Sequence, residues 1–123
     1  VAQEFGCPLV FAKKTKTKNI AGDVYTSKVE SFTHGTTYDI IVSKRFLDEN
    51  DKILIVDDFL ARGEAVGALA DICDKAGAEI VGAGILIEKS FQSGRGILEK
   101  RGIRVESLAR VSKLDPISGV AFL

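Results

Sequence analysis

Residues Ile53 to Ala65 read ILIVDDFLARGEA, and the organisation of the chain follows from them. The first part, Ile53 to Val56, is an unbroken apolar run, the pattern of a parallel strand covered on both faces. Two adjacent carboxylates, Asp57 and Asp58, then lead through small residues into a helical pattern over Glu64 to Ala76. There Val66, Leu69, Ala70 and Cys73 share one face and Gly77 supplies the stop. Downstream, Ile80 to Ile87 is a second buried strand in which Gly82 and Gly84 permit close approach. Ile97 to Arg101 reads as a short helix closed by Gly102, Val105 to Val111 as a third strand, and Val120 to Leu123 as an added edge strand. Strand, helix, strand, helix, strand predicts an α/β domain with a mostly parallel sheet flanked by helices.

Upstream the pattern changes. Val1 to Phe5 reads as the last turn of a helix, stopped by Gly6 and followed by Pro8. Five residues are short for a crossover helix, so the chain is expected to open inside an αβ unit whose first strand and most of whose helix precede Val1. Leu9 to Ala12 reads as a short strand and Lys13 to Gly22 as a basic loop. Asp23 to Phe32 and Thr37 to Ser43, rich in Val, Tyr, Thr and Phe, read as a flexible hairpin around His34 and Gly35.

Composition narrows the function. The 123 residues predict one domain, covering 1–123, with an ordinary hydrophobic fraction of 46%. Seventeen basic and seventeen acidic residues leave no net charge, which argues against a dedicated nucleic-acid surface. The longest apolar stretch is far below the ~20 residues a membrane helix needs. The chain opens without a charged and apolar leader. Cys7 and Cys73 stand far apart, and His34 is the single His, so a zinc site or disulfide framework is not expected. A reduced, cytoplasmic setting fits, with both thiols expected to be buried.

In an open α/β sheet, ligands bind outside the carboxyl ends of the strands. There the sequence places Asp57, Asp58 and then Ala61, Arg62, Gly63, Glu64 and Ala65 at the start of a helix. A helix N-terminus offers unpaired N–H groups suited to a phosphate, and Gly63 lets the backbone curl around one. Ionised carboxylates accept hydrogen bonds only, so an adjacent pair can hold a vicinal diol. A phosphate and a diol a few ångströms apart describe a ribose 5-phosphate; the bland alternative is an acidic turn in which Asp caps a helix.

The thirteen residues ILIVDDFLARGEA closely resemble the phosphoribosyl-pyrophosphate motif of the type I phosphoribosyltransferases. ILIEKSFQSGR at Ile85 to Arg95, RVESLARV at Arg104 to Val111 and VFAKK at Val10 to Lys14 extend the likeness over nearly the whole chain, and FLARGEA with EKSFQ resembles the xanthine branch. The resemblance implies the type I phosphoribosyltransferase fold with its N-terminal part preceding Val1. It also implies transfer of a phosphoribosyl group to a 6-oxopurine base in purine salvage, Mg²⁺ carried with phosphoribosyl pyrophosphate and no metal ligands of its own, small-molecule substrates, and a homodimer. Two alternatives stay open: another 6-oxopurine enzyme acting on guanine or hypoxanthine, and a non-catalytic regulator that keeps the site as a sensor.

By the same resemblance, Asp57 and Asp58 bind the ribose hydroxyls and favour the oxocarbenium-like centre. Ala61 to Ala65 form the 5-phosphate loop, here without the family's commoner Thr or Ser hydroxyls and second Gly, so capture leans on backbone N–H groups. Lys13 and Lys14 neutralise pyrophosphate; Lys16 and Lys18 read as solvated. Lys89 donates to the purine 6-oxo group and Phe91 offers the base a flat face. An ammonium donates only, which disfavours a 6-amino purine. The bland alternative is a surface Glu88–Lys89 pair with Phe91 in the core. His34, in the hairpin turn expected to close over the centre, reads as an exposed residue rather than a base. Gly84 to Ser90 lacks the Gly that a P-loop needs before its Lys, so no nucleotide-loop reading follows.

Overall fold

The computed structural model describes residues 1–16, 22–31 and 35–123. Its elements are α1 (Ala2–Phe5), β1 (Lys13–Thr15), β2 (Val24–Ser31), β3 (Thr36–Ser43), a 3-10 turn (Lys44–Phe46), β4 (Lys52–Leu60), α2 (Glu64–Ala76), β5 (Glu79–Lys89), α3 (Gly94–Lys100), β6 (Val105–Asp115) and β7 (Gly119–Phe122). They form two sheets. One is antiparallel in the order β1-β3-β2; the other runs β4-β5-β6-β7, with the first three strands parallel and β7 antiparallel at the edge. The α/β reading with a parallel sheet holds for the second sheet, and the expected hairpin is the body of the first. The tip of that hairpin, with His34, and Lys18 lie outside the described residues.

Helix α2 joins the two halves because it is apolar on two sides. Ala68, Ile72, Cys73 and Ala76 pack against Val29, Ile40 and Val42 of the antiparallel sheet. Val66 and Ala70 pack against Ile55, Leu60, Ala83 and Ile85 of the parallel sheet, together with Leu98 of α3. Alternating small and branched residues let one helix fill both interfaces. Burial of this kind stabilises by roughly 25 cal/mol per Å² of apolar surface.

Several boundaries differ from the sequence reading. Leu9 to Ala12 forms no ladder; Val10 and Ala12 pack on the core while Leu9 and Phe11 stay exposed. The strand falls instead on Lys13–Thr15, paired with Ile41, Ile40 and Asp39 of β3. Alternation revealed the inward face but not where a free sheet edge would accept the backbone. Nor is β4 covered on both faces. Ile55 is buried while Val56 is half exposed, because α2 and α3 both pack on one side. Cys7 is exposed, against expectation, and only Cys73 is buried. Helix α3 begins at Gly94 rather than near Ile97, since tertiary contact overrides the poor helix propensity of Gly94 and Gly96. Among the described residues, no helix is long and apolar enough to cross a membrane.

Candidate active site

Strand β4 runs four residues past its apolar run, because Asp57, Phe59 and Leu60 stay in register with Ile85, Ile87 and Glu88 of β5. The acidic pair therefore belongs to the strand end, and the loop proper is only residues 61–63. The N–H of Asp58 donates to Asp57 Oδ1 at 2.9 Å, and that of Phe59 to Asp58 Oδ1 at 2.7 Å. Burial pushes the Asp57 carboxyl up. The neighbouring Asp58 carboxylate pushes the same way, against the Asp58 N–H and the charge of Lys14. Asp57 thus holds its proton more tightly than an ordinary Asp, and a cation brought to the pair relieves the repulsion.

The loop turns on Gly63, whose φ of 83° is left-handed and which precedes α2 without a side-chain cap. The first helical bond runs from the Gly67 N–H to the Gly63 carbonyl at 2.8 Å. The N–H groups of Glu64, Ala65 and Val66 precede that bond, which is the arrangement that binds anions at helix starts. Ala61 is partly buried and its carbonyl accepts the Gly94 N–H at 3.0 Å. Arg62 and Glu64 line a shallow cleft of about 430 Å³ with Lys28, Asp71 and Arg101.

Lys89 is the last residue of β5, not a loop residue, and its Nζ lies 5.9 Å from the centroid of the Phe59 ring. Phe91, expected to face the base, sits in the following turn at 49% exposure. The aromatic face beside Lys89 is that of Phe59, which the sequence reading passed over; its signal was the strand register that puts it opposite Ile87. A surface Glu88–Lys89 pair does not form, because Glu88 is buried and bonded to Arg95. Of the two basic residues of β1, Lys14 is felt by Asp57 and stands 5.0 Å over the Tyr38 ring. Lys13, its neighbour in the strand, points to the other face. The charge of Lys14 thus acts weakly on Asp57, which adjoins Asp58. The loop at residues 61–63 starts level with Lys89, since Leu60 and Glu88 are paired.

Paired carboxylates near the end of one strand, a glycine turn into a helix and a lysine at the end of the next strand thus lie together at the head of a parallel sheet. The chain belongs to the phosphoribosyl transferase domain family, whose model matches residues 1–108. It is 52% identical to the xanthine phosphoribosyltransferase of Lachnoclostridium phytofermentans over 119 residues, 97% of this chain and 61% of that protein. To the xanthine phosphoribosyltransferase of Brevibacillus brevis it is 49% identical over 96% of this chain and 60% of that one. Among solved structures, the adenine phosphoribosyltransferase of Thermoanaerobacter pseudethanolicus superposes with a TM-score of 0.75 at 26% identity, covering 89% of this chain and 60% of that one. The Giardia lamblia APRTase complexed with 9-deazaadenine gives 0.77 at 28%, with the same coverage. The chain spans about 60% of the length of the curated relatives it matches.

Proposed function

We propose that the whole protein transfers the 5-phosphoribosyl group of phosphoribosyl pyrophosphate to xanthine, giving xanthosine 5'-phosphate and pyrophosphate in purine salvage. The observation that carries this reading is the level arrangement of the Ala61–Ala65 loop and Lys89 on neighbouring strand ends, beside Asp57 and Asp58. The 52% identity to a xanthine enzyme supports it.

In this reading the N–H groups at the start of α2 hold the 5-phosphate, and Asp57 and Asp58 hold the ribose hydroxyls. As the bond from the sugar to pyrophosphate lengthens, positive charge grows on the ring and the two carboxylates, already in place, stabilise it. The purine nitrogen attacks the same carbon. Lys14 screens the departing pyrophosphate, with Lys13 beside it in sequence. Lys89 donates to the 6-oxo group and Phe59, with Phe91 after it, supplies apolar surface to the base.

Magnesium is commonly bound by one or two carboxylates together with substrate phosphates. The Asp57–Asp58 pair, in which burial and then the neighbouring Asp58 carboxylate raise the Asp57 pKa, fits a cation arriving with phosphoribosyl pyrophosphate. That ion supplies charge neutralisation for the leaving group. Small-molecule substrates, a homodimer and a cytoplasmic setting complete the reading.

Lys89 discriminates this from adenine transfer, the activity in the name of the Thermoanaerobacter pseudethanolicus structure, since a donor-only ammonium meets a 6-amino group without an acceptor. The test is an assay of the whole protein with phosphoribosyl pyrophosphate, magnesium and each of xanthine, guanine, hypoxanthine and adenine. Xanthine is expected to give the highest kcat/KM. A preference for adenine, or binding of phosphoribosyl pyrophosphate without turnover of any base, overturns the reading.

A further inference from the structure

Glu88 is 1% exposed and is the buried charged residue of the core among the described residues. Four donor groups converge on it. Arg95 Nε reaches Oε1 at 3.1 Å and Oε2 at 2.9 Å, and Arg95 Nη2 reaches Oε1 at 2.7 Å. Ser107 Oγ reaches Oε1 at 2.7 Å, and Arg110 Nε reaches Oε2 at 3.3 Å. Arg95 is fixed in turn by the Val105 carbonyl at 3.1 Å and by Glu99 at 3.3 Å. Such a cluster is a weak source of stability, because desolvating its charges offsets most of their attraction and an apolar replacement often does as well.

Its geometric effect is specific. Neighbouring strand residues point to opposite faces. Glu88 turns to the helix side and Lys89 to the open side, over Phe59. A slip of one residue in β5 would exchange them. The residue before Arg95 completes the link. Gly94 donates to the Ala61 carbonyl at 3.0 Å, and a Cβ built on Gly94 would stand 2.5 Å from that oxygen and 3.1 Å from the Gly63 nitrogen. Two consecutive residues at the start of α3 therefore touch both halves of the site.

We propose that Glu88 is a positioning residue, and that the Gly94–Arg95 step yokes the strand end carrying Lys89 to the phosphate loop at residues 61–63. This rests on the reading of Lys89 and that loop given above. Base and sugar phosphate must meet within a fraction of an ångström, and a misplacement of about 1 Å can cost on the order of 100-fold. The yoke sets their spacing through the Glu88–Arg95 side-chain pair and the Gly94–Ala61 backbone bond rather than through substrate.

The test uses the whole protein. Glu88→Gln keeps the shape and removes the charge; the Glu88→Met/Arg95→Met pair removes the ion pair at similar volume; Gly94→Ala strikes the loop end. Xanthine KM, phosphoribosyl-pyrophosphate KM, kcat and Tm are measured for each. Glu88→Gln and the double variant are expected to raise xanthine KM by about 10-fold or more, with less change in phosphoribosyl-pyrophosphate KM, and the double variant to keep its Tm. Gly94→Ala is expected to reverse that pattern. Unchanged xanthine KM in Glu88→Gln overturns the proposal, as does a kinetic loss that only follows Tm. If the double variant does not fold, Glu88→Gln decides. Should the wild type turn over no purine, the functional reading fails separately and amide NMR tests the yoke. Glu88→Gln should then shift the resonances of Ala61 and Gly63 while leaving Asp74 to Ala76 in place, and shifts confined to residues in direct contact with Glu88 overturn it.

Discussion

Lys89 Nζ lies over the ring of Phe59, 5.9 Å from its centroid, so a cation from one strand end rests against an aromatic face from the next. The two belong to neighbouring parallel strands whose register places Phe59 opposite Ile87, two residues before Lys89. Such a contact contributes modestly at an exposed site but restricts where the ammonium can sit. Lys89→Ala in the whole protein should lower kcat/KM for xanthine by about 10- to 100-fold, the loss expected for one charge-assisted hydrogen bond. Phe59→Ala should cost only about 2- to 5-fold. Steady-state kinetics with each substrate varied in turn checks both. A Lys89 variant that lost phosphoribosyl-pyrophosphate affinity and kept its base preference would assign this residue to the pyrophosphate instead.

Gly63 carries a φ of 83°, and a Cβ placed on it would stand 3.3 Å from the Gly94 Cα. A β-branched residue meets both the forbidden dihedral and the neighbouring backbone. Gly63→Val should weaken phosphoribosyl-pyrophosphate binding by more than about 10-fold through displacement of the helix-start N–H groups. Calorimetry measures it, and unchanged affinity removes the phosphate from this loop.

Asp57 and Glu88 respond to acid in opposite senses. The Asp57 pKa is raised by burial and by Asp58, so the folded state binds that proton more tightly than the unfolded chain does. Stability from this group therefore falls as pH rises from 3.8 through the raised value, and the cost persists at neutral pH. Burial alone would raise Glu88 too, but Arg95, Ser107 and Arg110 hold it below 4.5. Its contribution is present above 4.5 and is lost as pH falls through the lowered value. Asp57→Asn should accordingly raise Tm at pH 7 while abolishing transfer. Glu88→Gln should lower Tm at pH 7 and shrink the gap to wild type in acid. Thermal melts across pH decide, and an Asp57→Asn variant less stable than wild type at pH 7 contradicts the first expectation.

The two thiols should differ sharply. Cys73 is 4% exposed, and burial with the nearby Asp74 carboxylate pushes its thiol up to about 11. Cys7 is exposed. The thiolate is the reactive form, so a disulfide reagent at pH 7.5 should label one thiol quickly and the second only on unfolding. Fast labelling of both would mean that the α2 interface opens readily.

The parts legible in the sequence were those whose local pattern and tertiary role agree. Glu64 to Ala76 has helical spacing, a glycine before it and a glycine after it, and it is the helix observed. Asp57, Asp58 and the turn to Ala65 form a contiguous stretch, so their proximity needed no knowledge of pairing. Residues that depend on register were not legible. Phe59 meets Lys89 only because β4 and β5 align Leu60 with Glu88. The Glu88–Arg95–Ser107–Arg110 cluster draws on two strands and a helix, and the string EKS gives no hint that its Glu turns inward. The extended segment before β1 failed for a related reason: an apolar alternation reports burial, not hydrogen-bond partners.

Helix α2 lies between two cores that also share Ile53 and Ile80, and its first turn follows the loop at residues 61–63. The antiparallel and parallel sheets thus share α2 as a wall, with Ile53 and Ile80 beside it. Loosening that wall exposes both cores at once, so partial opening of one sheet draws the other with it and the domain is built to melt as one cooperative unit. A ligand gripping the helix start acts on the same wall. Under the proposed function, each tenfold of phosphoribosyl pyrophosphate above its dissociation constant would add about 1.4 kcal/mol to the folded state, so substrate supply would set how long the domain survives heat or protease as well as how fast it works.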